Sequence, residues 1–73
     1  MENNLKHYRH RMEMNKKEFA AFLDVDYTLY VNWENHRKQP NIDSLIYIRN
    51  KLRSHFPDIS IDDLIIWRTG NFI

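Results

Sequence analysis

The 73-residue chain has no cysteine, which excludes disulfides, thiolate metal sites and a cysteine nucleophile. It has one glycine and two prolines, too few for a flexible linker or for a β-rich fold with many tight turns. No apolar run approaches the roughly 20 residues that span a bilayer, and the first residues lack the apolar stretch of a secretory signal. These absences predict one small cytoplasmic domain over 1–73, with no membrane partner and no room for a separate ligand-sensing domain.

The net charge is only +1, but the charges are unevenly distributed. Basic side chains predominate in residues 1–17 and 37–53, whereas acidic side chains are concentrated at 18–26 and 58–63. Such a dipolar layout can orient a protein on phosphates without a large net charge. The alternative is that the lysines and arginines simply solvate a helical surface.

Apolar residues at helical spacing, together with capping residues, predict five helices and no sheet. Leu5, Tyr8 and Met12 form the apolar stripe of the first helix. Asparagine or aspartate stands where the next three helices would begin, and a serine starts the last one. The predicted helices are about 4–12, a second from Lys16, a third from Asp26 to about Glu34, a fourth from Asn41 that ends before Pro57, and a fifth at about 60–69, ended by Gly70.

Several short motifs in this order resemble the helix-turn-helix domains of the phage repressor, Cro and Xre type. The resemblance covers about 4–67 and includes Leu5 to Arg9 and Ser60 to Leu64. Its most specific part is Trp33-Glu34-Asn35, followed by Arg37-Lys38 and Pro40. The resemblance implies an all-α, compact five-helix lambda-repressor-like bundle, with a helix-turn-helix at about 16–35 formed by helices 2 and 3.

The resemblance also implies roles for individual elements. The helix from Lys16 would lie above the DNA backbone, and the helix from Tyr27 would enter the major groove. Arg9 would pair with Glu34 inside the domain, which would join helix 1 to the end of helix 3. These two residues are therefore expected to be structural and to make no DNA contact.

The sequence departs from the family pattern at three turns and in one connection. Members of the family often have glycine at the positions of Glu13, Asp24 and His36. Because aspartate tolerates a left-handed backbone better than most residues, we expect the turns at Glu13 and His36 to differ from those of the family. The connection at 53–59 is longer than usual and would either extend helix 4 or form a separate lobe.

The exposed face of helix 3 carries side chains that suit the major groove, provided that Tyr30 and Trp33 point inward. An asparagine can make paired hydrogen bonds to adenine, and threonine and valine methyl groups can contact the methyl group of thymine. A tyrosine hydroxyl suits a phosphate or a base edge. Such a face favours A·T-containing half-sites, and its candidate residues are Tyr27, Thr28, Val31 and Asn32.

Basic side chains flank this face on both sides in the sequence. Lys16 and Lys17 begin helix 2, where the helix dipole already favours an anion, so a phosphate explains them better than helix stability does. Arg37 and Lys38 follow helix 3 and would flank the same DNA backbone. Asn35 is expected to cap helix 3, with a phosphate contact as a further role.

The sequence offers little for metal binding or catalysis. His7 and His10 lie one turn apart and Glu13 follows three residues later, but a fourth metal ligand is not evident, so we favour solvated histidines. We find no glycine-rich phosphate cradle, no nucleophile elbow and no carboxylate pair in an evident cleft. The chain is therefore predicted not to be an enzyme and to need no cofactor and no metal.

The C-terminal residues carry more apolar surface than one small helix can bury. Either Phe72 and Ile73 fold back on the core, or the segment forms a two-fold contact between copies. We favour the homodimer, because it would place two recognition helices about one DNA turn apart. The predicted dimer residues are Ile66, Trp67, Phe72 and Ile73.

Together these inferences predict a sequence-specific transcriptional regulator of prokaryotic or phage type. It would be a repressor that binds double-stranded DNA at a palindromic operator as a homodimer. Its place would be the nucleoid in the cytoplasm, or the host cytoplasm if a phage encodes it, and its control would come from its own concentration, a regulatory protein partner or proteolysis. The alternative is a protein-interaction module with the same fold, such as an anti-repressor or antitoxin component.

Overall fold

The chain is mostly helical in the computed structural model, which describes residues 2–66. The described part contains four α-helices, then one turn of 3₁₀ helix, and two short strands that pair at its ends. The elements are β1 (Glu2–Asn3), α1 (Leu5–Arg11), α2 (Lys16–Leu23), α3 (Tyr27–Glu34), α4 (Ile42–Leu52), the 3₁₀ turn (Asp62–Leu64) and β2 (Ile65–Ile66).

Side-chain caps fix where three of the helices begin, as the sequence predicts. The side chains of Asn15, Asp26 and Asn41 each accept a hydrogen bond from a backbone N–H in the first turn of α2, α3 and α4, at 2.7, 3.1 and 2.8 Å. At α2 the Glu18 carboxylate also accepts from the Asn15 backbone N–H at 2.8 Å, which completes a capping box. These bonds satisfy backbone donors that a helix leaves free at its start.

The prediction of a fifth helix at about 60–69 was wrong over the described residues, and so was the prediction of no sheet. After the 3₁₀ turn the chain becomes extended, and β2 pairs with β1 in antiparallel fashion, with Ile66 opposite Glu2. The physical reason is the pair Ile65–Ile66, since β-branched side chains favour an extended backbone. The backbone of β1 then offers these two residues hydrogen-bonding partners that a further helical turn would not use.

One hydrogen bond of the predicted cap at Ser60 is present, but it starts only a single 3₁₀ turn. The Asp63 carboxylate accepts a hydrogen bond from the Ser60 backbone N–H at 2.9 Å. The Leu64 carbonyl, however, accepts from the Asn4 backbone N–H at 2.8 Å, which directs the chain toward the start of α1. A local cap therefore starts a turn here, and the tertiary contact with Asn4 helps to end it.

The core lies between the four helices and the segment that follows α4. Segment 53–59 contains no helix, so it does not extend α4, and it is not a separate lobe either, because Ile59 is buried in the core and Phe56 packs against it. Its Phe56 ring meets the Tyr8 ring edge-on at 5.0 Å between centroids, and the Arg11 guanidinium lies 5.0 Å from the Phe56 ring centre. The buried apolar side chains are Leu5, Tyr8, Phe19, Ala20, Leu23, Tyr30, Trp33, Leu45, Ile48, Leu52, Ile59 and Leu64.

Three turns that follow helices have the same left-handed backbone without glycine. The φ angles of Glu13, Asp24 and His36 are 56°, 57° and 62°. In each turn this residue and the next one donate backbone hydrogen bonds back into the helix; at His36 the acceptors are the Trp33 and Asn32 carbonyls, at 3.1 and 2.9 Å. The expectation that Glu13 and His36 would have different turns is therefore corrected, because all three positions adopt the conformation that suits glycine.

We expect Glu13→Gly and His36→Gly each to raise the free energy of unfolding by about 0.5–1 kcal/mol. A left-handed backbone costs an ordinary residue about 1–2 kcal/mol, and the greater freedom of glycine in the unfolded chain offsets part of the gain. Denaturant unfolding followed by circular dichroism would measure the effect. Ala21→Gly, at an exposed position inside α2, is the matched control and should lose about 1 kcal/mol. A loss of that size at Glu13 or His36 would contradict the interpretation.

Candidate nucleic-acid interface

Helices α2 and α3 form one packed unit, joined by the short turn at 24–26. The rings of Phe19 in α2 and Tyr30 in α3 meet edge-on, with centroids 5.5 Å apart. Ala20 and Leu23 are also buried on the α2 side of this contact. This packing commits one face of α3 to the core and leaves the other free.

The free face of α3 holds the four groove candidates. Tyr30 and Trp33 are buried, at 0% and 4% exposure, which is the predicted inward orientation. Helical periodicity places the candidates side by side on the remaining surface. Their exposure to solvent decreases along the helix. Tyr27 and Thr28 are exposed, whereas Val31 and Asn32 are already half-buried.

The loop after α3 folds back over the end of that helix. The backbone N–H groups of Arg37 and Lys38 both donate to the Asn32 carbonyl, at 2.9 and 3.3 Å. Both basic side chains are exposed. Asn35 ends the helix, as predicted, with its backbone N–H donating to the Val31 carbonyl at 2.9 Å. The structure therefore brings two cations close to the half-buried end of the free face.

The start of α2 supplies the other two cations. Lys17 is exposed and Lys16 is half-buried. The charge of Lys16 contributes to lowering the pKa of the Glu34 carboxyl, so Lys16 lies near the end of α3. The basic side chains that flank α3 in the sequence are thus also close to it in space at Lys16, Arg37 and Lys38.

Arg9, Glu34 and Tyr30 form a buried network that holds α3 against α1. The Arg9 guanidinium donates from Nε to Glu34 Oε2 at 3.0 Å and from Nη2 to Glu34 Oε1 at 2.9 Å. Arg9 Nη1 also donates to the Met14 carbonyl at 3.1 Å, and the Tyr30 hydroxyl donates to Glu34 Oε2. The side chains of the ion pair are only 11% and 3% exposed. The predicted pairing of Arg9 with Glu34 is confirmed.

The network fixes the charge of Glu34. Burial alone would raise the pKa of this carboxyl, but the hydrogen bonds from Arg9 and Tyr30 outweigh burial and hold its pKa below the usual value. Burial and the neighbouring Glu34 carboxylate raise the pKa of the Tyr30 hydroxyl. At neutral pH the carboxylate is therefore ionised and the hydroxyl keeps the proton that it donates.

The lowered pKa of Glu34 predicts a loss of stability in acid. A carboxyl whose pKa is lower in the folded state stabilises the fold above its unfolded-state pKa of 4.5, and this contribution disappears as the pH falls through the folded-state pKa. Urea unfolding of the wild type and of Glu34→Gln should therefore differ most above pH 4.5, and the difference should shrink as the pH falls below that value. A difference that stayed constant over this range would contradict the assignment.

Asn3 is a buried residue that sequence reasoning missed. Its side-chain Nδ2 donates to the Trp33 carbonyl at 2.7 Å and to Gln39 Oε1 at 3.2 Å. Asn3 thereby joins β1 to the end of α3 and to the loop that carries Arg37 and Lys38. A two-residue strand has no periodic pattern, so the only signal for this role is an asparagine near a helix start.

One of the four predicted dimer residues, Ile66, lies within the described residues. Ile66 lies at the end of β2, not in a helix, and is 38% exposed. Trp67, Phe72 and Ile73 lie outside the described residues. The contact proposed for this segment therefore stays a prediction.

No protein-family model, curated protein or solved structure matches the chain. Within residues 2–66, no group of three or more histidine, cysteine, aspartate or glutamate side chains is placed to hold a metal ion. None of the helices in that range has the length and apolar character needed to cross a membrane. The function of the chain must therefore be inferred from its own residues.

Proposed function

We propose that the chain is a sequence-specific DNA-binding transcriptional regulator of prokaryotic or phage type, a repressor that acts in the cytoplasm as a homodimer on a palindromic operator. One observation carries the proposal: the face of α3 left free by the core lies beside exposed basic side chains at the end of the same helix. The family resemblance of the motifs around Trp33 and Glu34 points to the same class. In this proposal α2 and α3 are the helix-turn-helix of a lambda-repressor-like domain.

The size and side chains of α3 suit the major groove. An eight-residue helix is about 12 Å long, comparable to the groove width of about 12 Å. Tyr27 and Thr28, at the exposed end of the helix, can contact a phosphate or a base edge. Val31 offers methyl groups to thymine, and the Asn32 amide can bind adenine in a paired manner.

The flanking cations hold the helix in place on the phosphates. Lys16 and Lys17 stand at the N-terminus of α2, and Arg37 and Lys38 stand beyond the end of α3. Phosphate contacts beside a recognition helix set its register and angle, while base contacts provide sequence preference. The Arg9–Glu34 pair makes no DNA contact in this proposal and acts by holding α3 in position.

Selection of bound sites from random DNA is the first test of the proposal. The expected product is a palindrome with A·T-containing half-sites whose centres lie about one helical turn apart. On the selected site, Asn32→Ala should weaken binding by about 10- to 100-fold and relax the preference at one base pair. Lys17→Ala should weaken binding to every sequence by a similar factor.

Arg53→Ala serves as the control, because Arg53 is an exposed cation just after α4 that has no role in the proposed interface. Its affinity for the selected site should equal that of the wild type. The proposal fails if no sequence is enriched. It also fails if neither Asn32→Ala nor Lys17→Ala changes the measured affinity.

A protein-interaction module with the same fold is the second candidate. Tyr27 is 50% exposed, and together with Val31 it gives the free face of α3 an apolar part that could bind another protein. An anti-repressor or antitoxin component would use the face in this way. Failure to enrich any DNA sequence would favour this candidate.

A further inference from the structure

We propose that the exposed face of α4 is a contact between two copies of this chain, related by a two-fold axis that passes near Ile46. The proposal rests on the homodimer of the proposed function and names a surface for it that lies within the described residues. It does not require that the dimer bind DNA.

Helix α4 is apolar on two faces. Leu45, Ile48 and Leu52 are buried and face the core. Ile42 and Ile46, one turn apart, are nevertheless 59% and 39% exposed to solvent. Leaving isoleucine side chains in water costs free energy that their burial would recover. Covering this apolar strip with another protein surface would be favourable, because it would remove both side chains from water.

The charges on α4 identify a second copy as the occupant. Asp43 lies three residues before Ile46, and Arg49 lies three residues after it. When two such helices cross in antiparallel fashion at Ile46, each Asp43 comes to the same level along the axis as the partner subunit's Arg49. The arrangement is self-complementary, which is the requirement for a two-fold contact.

Arg49 also lacks a strong acceptor in the described part of the chain. Its Nη2 makes one long hydrogen bond, to Asn50 Oδ1 at 3.4 Å, and its buried Nε has no hydrogen-bond partner. A carboxylate is a much stronger acceptor for a guanidinium than an amide oxygen. The partner subunit's Asp43 would supply that carboxylate to the Nη end of Arg49, since the Nε is buried within its own copy, and the two-fold axis would form the pair twice.

Sedimentation equilibrium of the full chain without DNA is the first test. The wild type should dimerise, and Ile46→Lys should raise the dissociation constant at least tenfold, because the axis places the two new ammonium groups against each other. Ile66→Lys, at the same residue type with nearly the same exposure, 38% against 39%, tests the rival C-terminal contact that the sequence predicts and that the contact on α4 would replace. It should leave the dimer intact.

The second test exchanges the charges at positions 43 and 49. Recovery of the dimer in the combined variant would show that the single variants had not simply failed to fold. Asp43→Arg alone and Arg49→Glu alone should each weaken the dimer, since each places like charges opposite one another. The combined variant Asp43→Arg/Arg49→Glu should restore dimerisation to within a few-fold of the wild type, because the exchanged pair is again complementary.

The outcomes separate this proposal from the proposed function. A monomeric wild type, a dimer that survives Ile46→Lys, or a combined variant that fails to recover would each overturn the contact on α4. Loss of the dimer in Ile66→Lys alone would assign the interface to the C-terminal segment instead. A dimer that obeys the charge exchange but enriches no DNA sequence would support the contact and overturn the proposed function.

Discussion

Arg9→Ala should destabilise the domain by about 3–5 kcal/mol, because it leaves the Glu34 carboxylate buried without its cation. The Glu34 side chain is 3% exposed in the ion pair, so water cannot easily replace the lost guanidinium. A domain of this length is stable by only about 4–11 kcal/mol. Urea unfolding at neutral pH should therefore show a large drop in the midpoint, because the loss is a large fraction of the total stability.

Two further variants show whether the loss comes from the unpaired charge. Lys6→Ala lies in the same helix at an exposed position and should change the free energy of unfolding by less than about 0.5 kcal/mol. Arg9→Met combined with Glu34→Met removes both charges and should recover a large part of the stability lost in Arg9→Ala. A double variant no more stable than Arg9→Ala would show that packing or the Met14 contact, and not the charge, dominates the effect.

Salt should weaken DNA binding steeply if the four proposed cations, Lys16, Lys17, Arg37 and Lys38, contact phosphates. Each neutralised phosphate contributes about −0.9 to the slope of log affinity against log salt concentration, so four contacts per copy predict about −3.6. A fourfold increase in salt would then weaken the binding of one copy to a half-site by about 150-fold, and the dimer on its operator by more. Fluorescence anisotropy over a salt series measures the slope directly.

The salt slopes of two variants distinguish the proposed phosphate contacts from the proposed base contact. Arg37→Ala/Lys38→Ala should reduce the slope by about 2 per copy, because two phosphate contacts are removed. Asn32→Ala should lower the affinity and leave the slope unchanged, since its proposed contact is to a base. A salt slope near zero in the wild type would argue against the proposed phosphate contacts.

Most of the helical architecture could be predicted, because its signals are local. The caps at Asn15, Asp26 and Asn41 and the apolar spacing around them start three helices at the predicted positions. The same local reasoning failed after Ser60, where β1 competes for the backbone of Ile65–Ile66. A contact between the two ends of the described chain has no signature in either segment alone.

The sequence was enough to predict which face of α3 is exposed, but not the contacts made at the end of that helix. The burial of Tyr30 and Trp33 follows from helical spacing, and it leaves the opposite face of α3 free. The sequence did not show that Asn32 would be half-buried, or that Asn3 would bind the Trp33 carbonyl. Both depend on how distant segments meet at the end of α3, which periodicity cannot describe.

The pairing of β1 with β2 has a consequence for the order in which the domain forms and opens. Glu2 and Ile66 are paired across nearly the whole described chain, so this contact closes the largest loop in the fold. Closing a large loop costs chain entropy, and only contacts that already hold the helices together can offset it. We therefore expect the strand pair to form late, and because Asn3 belongs to it, the C-terminal end of α3 should be the last part of the α2–α3 unit to become ordered and the first to open.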